Sequence, residues 1–150
     1  MSPIQSTVKT AILTAGFEEN RRIRVFADGW TPQAARFAPD VLAGPLPELL
    51  ALAGEAIEIG RAVVVFIYDL DEALTASERD QLWHAFGVPV FEQLLDDANE
   101  LLATECEAHD GLHFLTPPEG VDTEEAQCAC GSTVLRRVER KPLRAYAVAS

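Results

Sequence analysis

The spacing of apolar residues changes several times along this chain, and each change marks an element. Up to Gly16 there is little pattern beyond a short strand at Thr10 to Thr14. Arg22 to Phe26 then alternates Arg, Ile, Arg, Val, Phe before the Asp28-Gly29 turn signal, which predicts a second strand. From Gly44-Pro45-Leu46-Pro47 the period becomes helical. Leu49, Leu50, Leu52, Ala53, Ala56 and Ile57 share that spacing and Gly60 supplies a stop, so a helix is expected to run to about Ile59. Ala62 to Tyr68 is a continuous β-branched and aromatic run, the composition of a strand covered on both faces, and it is the candidate central strand.

Thr75 and Glu78 have the spacing of a capping box, opening a helix that turns Leu82, Trp83 and Phe86 to the core and closes at Gly87. Val88 to Phe91 follows as a strand, with Pro89 favouring an edge or a strand end. Strand, helix and strand in this order predict a right-handed βαβ crossover and parallel pairing. Beyond Leu101 the pattern shortens to strands at Leu101 to Glu105, Leu112 to Leu115, Thr133 to Glu139 and Leu143 to Val148, the last two joined at Arg140-Lys141-Pro142. The fold class expected is α/β: a small parallel or mixed sheet with flanking helices, followed by a β-rich part. Three regions result: an irregular N-terminal segment with short strands (1–38), an α/β unit (39–100) and a β subdomain (101–150).

Composition sharpens this picture. A chain of 150 residues with 48% hydrophobic content can bury a core without disulfides. An odd cysteine count of 3, no charged-then-apolar leader and no long apolar run predict a soluble, cytoplasmic protein. The formal charge of −12 argues against nucleic acid or an anionic membrane as partner, since phosphate binding rests on clustered cations. Arg136, Arg137, Arg140, Lys141 and Arg144 are the local exception, read as a solvated face or as partners for the acidic remainder.

The candidate chemistry lies in the β-rich part. Cys106, His113, Cys128 and Cys130 include every cysteine in the chain, and three thiols plus an imidazole make a complete tetrahedral shell for Zn²⁺. Gly131 follows Cys130 and can take the positive φ that folds backbone around a metal. Four protein ligands close the shell, so the zinc is expected to be structural, stapling the β subdomain across the Pro- and Glu-rich stretch between His113 and Cys128. His109 is a rival to His113, because Cys106-x2-His109 also has metal spacing. A turn at Asp110-Gly111 would bring His113 back beside Cys106 on a paired strand, which favours His113. A redox role for Cys128-Ala129-Cys130 is disfavoured, since no helix N-terminus or adjacent Lys is predicted to lower a thiol pKa.

Three stretches carry a family resemblance. Pro39 to Ala53 (Pro-Asp-Val-Leu-Ala-Gly-Pro-Leu-Pro-Glu-Leu-Leu-Ala-Leu-Ala) opens a helix. Glu72 to Glu92 ends in Trp-His-Ala-Phe-Gly-Val-Pro-Val-Phe-Glu. Glu105 to His113 (Glu-Cys-Glu-Ala-His-Asp-Gly-Leu-His) is followed by Cys128-Ala129-Cys130-Gly131. Over about Pro39 to Leu135 the chain resembles a shortened piece of the large domain of phenylacetate-CoA ligase-type adenylate-forming (AMP-binding) enzymes, some of which hold zinc with a similar Cys and His pattern. The resemblance implies the α/β fold and the zinc site. It does not extend to the reaction: Gln93 to Glu100 stands where those enzymes carry a Tyr-Gly-x-Thr-Glu motif, and no Ser/Thr/Gly-rich phosphate loop, ribose-binding Asp or catalytic Lys is recognisable.

The acidic groups Asp69, Asp71 and Glu72 are read as a solvated strand-to-helix loop, and Asp96, Asp97, Asn99 and Glu100 as a turn without the EF-hand spacing. The functional expectation is a non-catalytic zinc-binding module derived from a ligase domain, acting in binding or assembly. The alternative is an enzyme or enzyme subunit that binds an acyl, CoA or nucleotide ligand at the end of the central strand. A homo-oligomer or protein partner is expected, with Trp30, Phe37, Arg136 and Arg137 as anchors.

Overall fold

The computed structural model describes residues 8–109 and 111–138. Its frame is a seven-stranded sheet in the order β2-β1-β3-β4-β5-β6-β7. The strands are β1 (Thr10–Ile12), β2 (Ile23–Val25), β3 (Val41–Pro45), β4 (Ala62–Ile67), β5 (Val90–Leu95), β6 (Leu101–Glu105) and β7 (Leu112–Phe114). The first five run parallel, while β6 and β7 are added antiparallel, so the fold is α/β with a mixed sheet. A separate antiparallel hairpin, β8 (Thr123–Gln127) with β9 (Thr133–Arg137), lies against β7 through β9.

The candidate central strand is β4, paired in parallel with β3 on one side and β5 on the other. Val63, Val65 and Ile67 point into the main core with Leu42, Leu49, Leu82 and Phe86. Phe66 points the other way, into a smaller cluster with Ile12, Ala43 and Leu95, where Phe17 stacks on its ring at 5.1 Å. Both faces are thus covered, as an uninterrupted β-branched run requires. Among the described residues the α-helices are α1 (Pro32–Phe37), α2 (Leu46–Leu52) and α3 (Ala76–Phe86), with a short 3-10 turn at Leu70–Glu72. The capping box forms as read: Thr75 Oγ1 accepts from Glu78 N–H, Glu78 accepts from Thr75 N–H, and Gly87 ends α3 in the left-handed region.

Three expectations about the elements are corrected. The helix from Pro45 stops at Leu52 instead of Ile59, because Gly54 is costly in a helix interior and the chain must return Ile57 and Ile59 to the core on its way to β4. The residues before it form strand β3, which sits between β1 and β4; there Gly44 lies so close to β1 that a Cβ would meet Leu13 Cβ at 3.1 Å. Finally, β9 pairs with β8, a strand inside the stretch read as loop, and the proposed partner Leu143 to Val148 lies outside the described residues, as do Arg140, Lys141 and Arg144. Pro89 stands just ahead of β5, where its lack of an N–H costs the ladder nothing and its carbonyl accepts from Val63.

Trp30 and Phe37 are half-buried against the main core. Trp83 on α3, expected to face the core, is instead 50% exposed, because the face that buries Leu82 and Phe86 leaves the next position about 100° round the helix toward solvent. No helix among the described residues is long and apolar enough to cross a membrane.

Candidate metal centre

Two tight turns carry the cysteines. The β6–β7 hairpin pairs Thr104 with His113 and Glu105 with Leu112, so Cys106 begins the connecting turn and His113 sits on the returning strand. Cys106 carbonyl accepts from His109 N–H at 2.9 Å, and His109 and Gly111 take positive φ to complete the reversal. The β8–β9 hairpin closes in a similar way. Gly131 N–H donates to Cys128 carbonyl and Cys128 N–H to Ser132 carbonyl, both at 2.9 Å, with Gly131 at φ +96°. Each turn aims backbone N–H groups at sulfur: Ala108 toward Cys106 Sγ and Cys130 toward Cys128 Sγ, both at 3.4 Å. The Ala108 donor favours the Cys106 thiolate.

The turns face each other across the junction of β7 and β9. One donor atom from each of Cys106, His113, Cys128 and Cys130 lies within 4.8 Å of all the others, a group that could hold a metal ion. Cys106 Sγ is 3.5 Å from Cys128 Sγ, and His113 Nε2 is 3.1 Å from Cys128 Sγ. In a tetrahedral shell with Zn–S bonds of about 2.3 Å, sulfurs stand about 3.8 Å apart, so these donors fit with small movements. Cys128 is buried, Cys106 half-buried and Cys130 exposed. The Cys130 thiol is lowered to about 7, first by the Ser132 backbone N–H and then by Cys128. This is a lowering that no sequence signal predicts. Burial raises the Cys106 thiol.

His109, the rival ligand, lies apart from this group. Its ring stacks on Phe91 at 4.7 Å and its Nδ1 is 3.8 Å from Glu105 Oε1. That placement belongs to a network the sequence reading missed. Gln93 pairs with Thr104, which puts Glu92 and Glu105 side by side on neighbouring strands, both nearly fully buried. Arg79 on α3 reaches between them and donates to Glu92 at 2.6 Å and to Glu105 at 3.0 Å. Glu92 also accepts from Leu74 N–H, and Glu105 from Glu92 N–H. The network lines a cleft of about 680 Å³ together with Trp83, and it fastens the end of β6, one residue before Cys106, to α3.

The acidic groups at the C-terminal end of the parallel strands are engaged locally. Asp69 accepts from Asp71 N–H and Glu72 from Tyr68 N–H. Asp96 accepts from Ala98 and Glu100 N–H, closing the turn between β5 and β6. Opposite Arg136 on the β8–β9 hairpin stands Glu124, and opposite Arg137 stands Thr123.

Comparison with protein-family models and with curated proteins finds no match to this chain.

Proposed function

We propose that this chain is a non-catalytic binding or assembly module in which a structural Zn²⁺, held by Cys106, His113, Cys128 and Cys130, fastens the β8–β9 hairpin to the edge of the sheet. The observation that carries the reading is the convergence of three thiols and one imidazole within 4.8 Å from two separate turns. Sulfur and nitrogen donors in that ratio suit zinc better than hard cations, which take oxygen. Four protein donors leave no open coordination position for a water or substrate, which is why the role assigned is structural. An origin as a shortened adenylate-forming ligase domain is proposed with it, supported by the residue pattern around Gly87 to Glu92 and the zinc ligands.

The metal reading predicts close to one equivalent of zinc per chain after gentle purification. Elemental analysis that found less than about a tenth of an equivalent of any metal would sink it, given the affinity that structural thiolate sites reach. The non-catalytic reading predicts no ATP- and carboxylic acid-dependent pyrophosphate release above a protein-free control. It is supported by the engagement of Asp69, Glu72 and Asp96 in local turns where a nucleotide site would need free side chains. Release well above that control would show that the chain adenylates an acid.

A further inference from the structure

Cys106 and Cys128 come from separate turns, yet their sulfurs are 3.5 Å apart, already within van der Waals contact. A disulfide needs a further closure to about 2.05 Å and a side-chain dihedral near 90°. Two side chains on independent turns can rotate to reach that geometry. Cys128 and Cys130 share one tight turn, held by the Gly131 to Cys128 backbone bond, and have less freedom to do so. The centre is also open to small oxidants, because Cys130 is exposed and Cys106 only half-buried.

We propose that Cys106 and Cys128 form a reversible disulfide when the centre meets a peroxide, expelling the metal and leaving Cys130 as an exposed free thiol. The inference rests on the zinc reading for its release step. In that step the two zinc-bound thiolates supply two electrons to the peroxide O–O bond. One S–S bond forms, two protons are taken up, two waters leave when the oxidant is hydrogen peroxide, and Zn²⁺ departs with its charge unchanged. The new bond joins the same two segments that the metal joined, 22 residues apart in sequence, so the β8–β9 hairpin stays tied to the sheet in both states. What changes is the surface: His113 and Cys130 lose their common ligand, and Cys130 becomes available for mixed-disulfide formation.

The test uses the full chain purified without oxygen, with its zinc counted before hydrogen peroxide is added. The expected result is one zinc released for each disulfide formed, read with a chromophoric chelator. Intact mass should fall by two hydrogens, and Cys130 should be the alkylatable cysteine. A reducing thiol plus zinc should restore the starting state. In Cys130→Ser the same Cys106–Cys128 crosslink should form, with no alkylatable cysteine left. A Cys128–Cys130 or Cys106–Cys130 crosslink, or loss of crosslinking in Cys130→Ser, would overturn the pairing. Zinc-loaded protein that keeps its metal and three reactive thiols would overturn the release. A starting preparation without zinc would defeat the metal reading itself and the release step with it, while peptide mapping of the oxidised chain would still decide the pairing.

Discussion

Replacing Cys128 by serine is expected to abolish stoichiometric zinc binding and to free the β8–β9 hairpin from the sheet, while the parallel strands keep their fold. Cys128 is the buried member of the group, and both Cys106 Sγ and His113 Nε2 make their close contacts with its sulfur. Structural zinc contributes on the order of 10 kcal/mol in small zinc-dependent peptides, comparable to the whole stability of an ordinary domain. The effect should nonetheless be local. The main core is built from β1, β3 to β7, α2 and α3, with Ala103 of β6 and Phe114 of β7 among its buried members, and the hairpin adds to it mainly through the partly buried Leu135. Hydrogen exchange should therefore show protection lost in the turn after Cys106 and across 123–137 but kept across 62–67 and 90–95. Chelator-treated wild-type protein should match the variant, which separates loss of metal from loss of a buried thiol. His109→Ala should retain the metal, since that ring packs on Phe91 outside the donor group. Full zinc content and unchanged exchange in Cys128→Ser would defeat the assignment.

What could be read along the chain, and what could not, follows from whether a feature is local. The capping box at Thr75 and Glu78, the stop at Gly87 and the apolar run of β4 are decided by neighbours in sequence, and they were legible there. The gathering of Cys106, His113, Cys128 and Cys130 could be anticipated from donor chemistry, and the preference for His113 over His109 from the reversal after Cys106. Strand β3 was hidden because its reason for being extended is remote: Leu42 is a strand residue only once β1 and β4 flank it, while the Gly-Pro-Leu-Pro run beside it signals a helix start. Strand β8 was hidden for a different reason. Thr-Glu-Glu-Ala-Gln has no apolar alternation, and it is extended because β9 pairs with it residue for residue. Arg79, Glu92 and Glu105 each look like ordinary surface charge in sequence. Only the register of β5 against β6 places the two carboxylates side by side under α3.

That register makes Arg79 a residue outside the metal centre whose loss should cost the fold heavily. Like charges opposite each other on neighbouring strands repel, and here the Glu92 and Glu105 side chains are only 10% and 4% exposed. Arg79 supplies the opposing charge, donating to both carboxylates, and its Nη1 also lies 3.4 Å from the Val90 carbonyl. Removing one partner of a buried charge group typically costs about 3 to 5 kcal/mol, because the remaining ions are left without compensation. With the Arg79 side chain 29% exposed, Arg79→Met is expected near the lower end, about 3 kcal/mol, measured by chemical denaturation. The triple variant Arg79→Met, Glu92→Gln, Glu105→Gln should recover most of that loss. The amide oxygens can still accept from Leu74 and Glu92 N–H, while no net charge remains buried. Because Glu105 directly precedes Cys106, the single variant should also release zinc faster to a chelator than wild type does, and the triple variant should restore the slower release. A single variant within about 0.5 kcal/mol of wild type, the scale of an ordinary surface substitution, would mean that water and not Arg79 compensates the two carboxylates.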